Sequence, residues 1–548
     1  MRGGRNRIFR SRRSAPWRLA ATVWLLVSAI RAADPGTVDG LVRNSVTGLP
    51  VNDAVVRLIF NGSGQRGYVG TSDATGAFHF ANVEPGPYRI TLERTGFTAT
   101  DEMVTVNSGQ DVRGVQLDAA PLAVITGRVL DSDGTPVPGA EVQAIGCQWI
   151  LGKRLFVEST SAQADETGQF RLSGIEPGRY RLFAAAPNDN PLRFSISEGP
   201  GKPEYHLASS YYPAGQDLDG ASPLDLSAGQ ELGGIELKLP LLQSFHIRGR
   251  AAVSGQSLGE PDFLNATRMD NGRPTFWFAG CGILKRDGSF DCAGLVPGVY
   301  VLSVNRFNEM LTESVTVPVS KSDVNGVLLA KLRPAKLLVR FTFAGDPAPK
   351  HAEPVLELHR DPAGAAAYAG QFWSQPHGTS QPDGTLLFEN LAPGRYVPLL
   401  PPNSELYVQA VAFNGQDLPD GELDLPPNSA GQLDVTLAAA TGSVAGIARD
   451  AGKGRAVLVA ENAGPGNSPV RLAGIDPDGR FSLPNLPPGR YLLFAIPRDG
   501  DWPWQNAQFV TLLHDRAAEV ELAEKGHAQA EASLVAAETL RQAEEQIP

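Results

Sequence analysis

An all-β chain, built as a tandem array of five β-sandwich domains, is what the sequence predicts, on three observations. The stretch DETGQFRLSGIEPGRYRLF (165–183) has a close counterpart at five places. Its tyrosines, Tyr88, Tyr180, Tyr300, Tyr396 and Tyr491, stand 92, 120, 96 and 95 residues apart, too far for a solenoid repeat and about right for a small all-β domain. Between them, apolar residues alternate in period two and are punctuated by Gly, Pro, Asn and Asp, the pattern of short strands joined by tight turns.

Each unit opens on a leading strand, clearest in GLVRNSVTGLPVNDAVVRL (40–58) and GRVLDSDGTPVPGAEVQAI (127–145). A turn glycine follows at Gly76, Gly168, Gly288, Gly384 and Gly479. Two residues on stand Phe78, Phe170, Phe290, Leu386 and Phe481, and two further on Phe80, Leu172, Cys292, Phe388 and Leu483, so both sets share one face of a strand. Val83, Ile175, Leu295, Leu391 and Leu486 then lead into Pro-Gly pairs beginning at Pro85, Pro177, Pro297, Pro393 and Pro488. Proline presets φ and glycine accepts a positive φ, so a type II turn is expected there, reversing the chain as a hairpin into the tyrosine strand. A closing strand ends each unit, as in VTVNSGQDVRGVQL (104–117) and LDLSAGQELGGIEL (224–237), with glycine eight residues before the final leucine. The same spacing from Gly526 to Leu534 predicts a last strand near 529–535 and confines helix to 537–547, although 523–548 is helical by propensity. The domains are expected at 33–119, 120–241 (with an insertion), 242–332, 333–438 and 439–537, with a short helical tail at 538–548.

The pattern G-x-V, G-x-P-V-P-G-A-x-V, D-x-x-G-x-F, P-G-x-Y resembles the carboxypeptidase regulatory-like domain. That resemblance implies a transthyretin-like (prealbumin-like, Ig-like) sandwich of about seven strands, similar to starch-binding-type modules, with a non-catalytic accessory or binding role. Domains 1, 2 and 5 match best. Domain 3 departs at Cys292 and at its entry RGRAAVSGQSLGEPDF (248–263), and domain 4 lacks a glycine-led first strand.

The N-terminus is different in kind. MRGGRNRIFRSRRSAPWR has seven arginines and no acid, and the short apolar run LAATVWLLVSAI (19–30) precedes RAAD. A signal peptide over 1–32 is expected, with an uncleaved anchor as the rival. A net charge of −11 argues against nucleic acid or an anionic membrane as partner. No internal run approaches the roughly 20 apolar residues of a membrane span.

Three cysteines fit export. Cys281 and Cys292 flank the Asp287-Gly288 turn; a hairpin there sets Cys292 opposite Ile283 with Cys281 diagonal to it, close enough for a disulfide, the alternative being two buried thiols. No zinc-peptidase ligand spacing occurs among the eight histidines, and no cofactor is expected. GQSLG (255–259) matches a nucleophile elbow in letters but occupies a strand-to-strand turn. DSDG (131–134), DLDG (217–220) and DGDW (499–502) are the residues tight turns require, as well as fragments of calcium loops. Aromatics outside the repeat positions carry the remaining signal. Trp502 and Trp504, with Asp501 and Gln505 beside them, are the candidate ligand-binding residues, since flat rings among amides and carboxylates suit sugar faces; a lid over the end of the sandwich is the competing reading. The expectation is a secreted, periplasmic or envelope-associated non-enzymatic scaffold that binds polysaccharide, or alternatively an array that binds an envelope protein such as a peptidase or outer-membrane receptor.

Overall fold

The computed structural model describes residues 34–547 except 61–65, 99, 188–194, 198–201, 254–261, 271–272, 307–308, 346–355, 361–375, 402–403, 453, 477, 499 and 501. The proposed signal peptide and GQSLG therefore lie outside the described residues. The chain is all-β: five sandwiches in tandem, and a short C-terminal helix.

The first sandwich shows the plan. Its strands are β1 (Gly36–Asn44), β2 (Val55–Phe60), β3 (Gly67–Thr71), β4 (Ala77–Val83), β5 (Gly86–Glu93), β6 (Thr100–Val106) and β7 (Asp111–Ala119). They form two sheets, ordered β4-β1-β7 and β3-β2-β5-β6, with only β1 and β7 parallel. Val38, Val42, Phe78, Phe80, Tyr88, Ile90 and Leu117 meet between the sheets and are buried, as their period-two spacing requires.

One expectation is corrected here. β4 and β5 do not pair; the Pro85-Gly86 corner carries the chain from one sheet to the other, and the same holds in each repeat. The glycines at these corners do not adopt the type II value: Gly86, Gly394 and Gly489 lie at φ 143° to 156°. The left-handed residue comes earlier, six positions after the turn glycine, at Asn82, Gly174, Gly294, Asn390 and Asn485, with φ of 56° to 78°. There the register against the first strand slips by one residue, a β-bulge that bends the strand end toward the second sheet. Both Asn and Gly tolerate the left-handed conformation, which is why the five positions hold nothing else.

The leading-strand glycines have a steric cause. A Cβ on Gly40, Gly127, Gly249 or Gly446 would fall 1.7 to 2.4 Å from a carbonyl oxygen of the closing strand, and three of the four also face the ring of Phe78, Phe290 or Phe481. In the fourth sandwich Val339 stands in that register opposite Leu386, so a larger residue in the first strand accompanies the loss of the ring.

The second sandwich begins with β8 (Ala123–Asp131), β9 (Glu141–Ile150), β10 (Lys153–Gln163), β11 (Gln169–Ile175) and β12 (Gly178–Ala185). Part of its insertion stays with it, Ser210–Tyr211 pairing with β12, and part does not. Ser195–Ser197 and Glu204–Leu207 form a ribbon on the edge of the third sandwich, pairing with Leu241–Ala251, so the sheet boundary falls earlier than 241/242. Unpaired backbone groups at that edge are thereby satisfied.

Cys281 and Cys292 form a disulfide with Cα atoms 4.7 Å apart. The predicted pairing of Cys292 with Ile283 is corrected: Cys292 faces Ile247, Ile283 faces Phe263, and the bridge joins the two sheets. The five tyrosines are buried. Tyr88, Tyr300, Tyr396 and Tyr491 each donate the hydroxyl to the backbone carbonyl four residues back, at 2.6 to 2.8 Å, tying the ring to its corner; Tyr180 meets the Ser159 side chain. Burial raises the hydroxyl pKa of Tyr88, Tyr180, Tyr300 and Tyr491, to about 12 for Tyr300 and Tyr491. At the Asp-x-x-Gly turns, Asp73 and Asp165 accept from a threonine hydroxyl and two backbone N–H groups, which hold both carboxyls below the usual range.

The fifth sandwich ends with His527–Ser533 pairing in parallel with Gly442–Arg449. Two helices flank it: α1 (Ala507–Leu512), which the sequence reading did not anticipate, and α2 (Ala537–Glu545).

Candidate functional site

The strand Gly489–Ile496 is buried on both faces over its last six residues. RYLLFAIP has no alternation, the mark of a strand covered on two sides, and this was the readable signal for what covers it. On the outer face Val457, Val459, Leu492, Phe494 and Ile496 meet Trp504, Phe509 of α1, and Leu540, Ala543 and Ile547 of the C-terminal segment. Trp504 is 6% exposed, its ring 4.9 Å from that of Phe494 and 5.2 Å from that of Phe509. Trp502 packs at the margin of the same cluster. Neither indole N–H has an acceptor among the described residues. Trp504 thus belongs to a second core, as the lid reading of the pair has it, and Trp502 packs half-buried at its edge. Gln505 is exposed, and Asp501 lies outside the described residues.

That second core continues into the second sandwich. Leu151 and Gly152, both left-handed at φ 50° and 73°, turn β9 into β10 and carry the hairpin against the fifth sandwich. Asn506, which caps α1 by accepting from the Phe509 N–H, donates to the Gly152 carbonyl at 2.9 Å. A Cβ at 152 would stand 2.6 Å from the Gln505 carbonyl oxygen. Trp149 packs on the cluster and donates its indole N–H to Glu544 Oε1 at 3.1 Å. Arg154 stacks over Trp149 and donates to the Glu544 carbonyl, and Arg179 spans Asp225 and Glu545, both at 2.7 Å. These two carboxylates push the Arg179 pKa further up. Arg498 meets Glu102 of the first sandwich at 2.7 Å. The last sandwich is thus fastened to the first two.

A second interdomain feature lies between the 211–222 segment and the third sandwich: a cleft of about 590 Å³ lined by Gln216, Asp217, Arg268, Met269, Asp270, Gly298, Val299, Val301 and Thr316. Tyr211, 2% exposed, donates to Asp270 Oδ2 at 3.2 Å. Burial raises the pKa of both groups, and Arg268, with Nε 3.6 Å from Asp270 Oδ1, opposes the shift at Asp270. Asp217 Oδ1 accepts from the Gly220 N–H, and Asp131 Oδ1 from those of Asp133 and Thr135, so DLDG and DSDG serve as turns. No group of three or more metal-ligating side chains occurs among the described residues. No helix among them is long and apolar enough to cross a membrane.

Residues 37–119 and 124–204 match the family profile of the carboxypeptidase regulatory-like domain, two tandem copies where the repeat is clearest. No curated protein matches. Solved structures with similar domains include the minor pilin GBS52 of Streptococcus agalactiae (12% identity, 37% of this chain and 95% of that one, TM-score 0.22). The shaft pilin spaA of Lactobacillus rhamnosus GG shares 12% identity over 38% of this chain and 97% of its own, with a TM-score of 0.20. The Bacillus anthracis TIE protein shares 12% identity over 54% of this chain, with a TM-score of 0.17; the alignment spans about half of that protein, 51%.

Proposed function

We propose that the chain is a non-catalytic extracytoplasmic scaffold of the cell envelope that binds polysaccharide, its sandwiches held as one body rather than strung as independent beads. The observation that carries this is the seating of the C-terminal helix α2 against the β9–β10 hairpin, through Trp149, Arg154 and Glu544, and against β12, through Arg179 and Glu545. Fixed domains keep clefts between them in one shape, which lowers the entropy lost when a ligand is ordered. An inter-sheet disulfide suits an oxidising compartment. The polysaccharide reading rests on the repeat's likeness to starch-binding-type modules and on the cleft's mixture of carboxylate, amide and guanidinium groups over an apolar floor. Titrating residues 34–548 with a panel of neutral and acidic envelope polysaccharides by calorimetry tests it. Saturable heat with at least one polymer is expected. Absence of heat from every polymer, with stoichiometric co-elution of a purified envelope peptidase or receptor, supports the accessory alternative instead.

A further inference from the structure

We infer that the cleft between the 211–222 segment and the third sandwich is a saccharide site, and that it takes a neutral oligosaccharide. This rests on the polysaccharide reading above and adds the place and the ligand class. Two domains supply the walls: Gln216 and Asp217 come from the insertion, and Arg268, Met269, Asp270, Gly298, Val299, Val301 and Thr316 from three neighbouring strands of the third sandwich. Interdomain clefts of this size, with a few fixed polar groups over apolar residues, are the usual form of a small-ligand site.

The polar groups are held before any ligand arrives. Asp270 is 8% exposed and its Oδ2 is engaged by Tyr211, which fixes the carboxyl's orientation. Arg268 reaches the cleft across Gly298, where a Cβ would stand 3.1 Å from Nε. That Nε is buried 3.6 Å from Asp270 Oδ1, which holds the guanidinium beside the carboxyl. Asp217 anchors the opposite wall through its own turn. Val299, Val301 and Met269 supply an apolar surface beside these groups.

This donor and acceptor set decides the ligand class. A sugar hydroxyl both donates and accepts, so adjacent hydroxyls can accept from Arg268 and donate to Asp270 or Asp217 while the C–H face of the ring lies on the valines. A uronate or phosphate would meet two carboxylates against one guanidinium. A cation would meet Arg268. Neutral rings satisfy every group.

The test uses residues 34–548 and neutral oligosaccharides prepared from whichever polymer gives heat with the intact chain. Three variants are compared: Asp217→Asn, Arg268→Met, and Val299→Trp, the last filling the cleft from a position 39% exposed and leaving the Tyr211–Asp270 pair alone. Thermal unfolding checks that each folds. A tenfold or larger loss of affinity in Val299→Trp and Arg268→Met, with unfolding temperature unchanged for Val299→Trp, is expected. Undiminished affinity in a folded Val299→Trp overturns the cleft while the polysaccharide reading stands. Binding of acidic polymers alone overturns the neutral class, and no binding to any polymer by the intact chain removes both.

Discussion

Replacing Tyr491 by alanine should destabilise the fifth sandwich by about 3–5 kcal/mol, the range for emptying a large aromatic core site. The ring is 5% exposed and sits among Val444, Leu458, Phe481, Leu486 and Val520. Tyr491→Phe keeps the ring and loses only the 2.6 Å bond to the Pro487 carbonyl, so it should cost about 1 kcal/mol. The ratio matters more than either value. It separates packing from the fastening of the corner, and equilibrium denaturation followed by circular dichroism measures both. Less than 1 kcal/mol for the alanine variant would mean that the tyrosine strand is not the centre of the sandwich.

Trp504→Ala should be comparably severe, about 3–5 kcal/mol by the same reasoning, with an additional effect at a distance. Trp504 lies between Phe494 and Phe509, and the same cluster seats Leu540, Ala543 and Ile547. Its loss should loosen α2 and with it the contact to Trp149. The expected readout is rapid proteolytic removal of the residues after Ser533 under conditions where the native chain resists, together with lowered stability. Retention of the tail at native rates would show that the tryptophan does not support the helix.

The repeat was legible because its physical requirements are local. Period-two apolar positions, a left-handed turn glycine and a buried tyrosine leave marks in every copy, and the late strand at His527–Ser533 was found through that spacing against strong helical propensity. The sheet assignment was not legible by the same route. A Pro-Gly pair between two alternating runs reads as a hairpin, and only the Asn or Gly six residues after the turn glycine betrays the bulge that sends the chain to the other sheet. The surroundings of Trp502 and Trp504 were not legible, because loops with aromatics read alike whether the rings face solvent or another element. The unbroken apolar run LLFAI (492–496) was the local sign of a covered outer face. What covers it includes Trp149, more than 300 residues distant in sequence, and a contact of that kind leaves no periodic trace. The ribbon at 195–207 escaped for the same reason, since its partner strand belongs to the next domain.

The central claim is that the second and fifth sandwiches are fastened together. With Cys147 changed to Ser, spin labels at Glu158→Cys on β10 and Glu538→Cys on α2, both exposed in the structure, would report the separation of the two by pulsed dipolar spectroscopy. The account predicts a single narrow distance distribution that broadens and lengthens when Trp149→Ser and Arg154→Glu are added. A broad distribution in the chain with Trp149 and Arg154 intact, or a narrow one unaffected by those two substitutions, would contradict it.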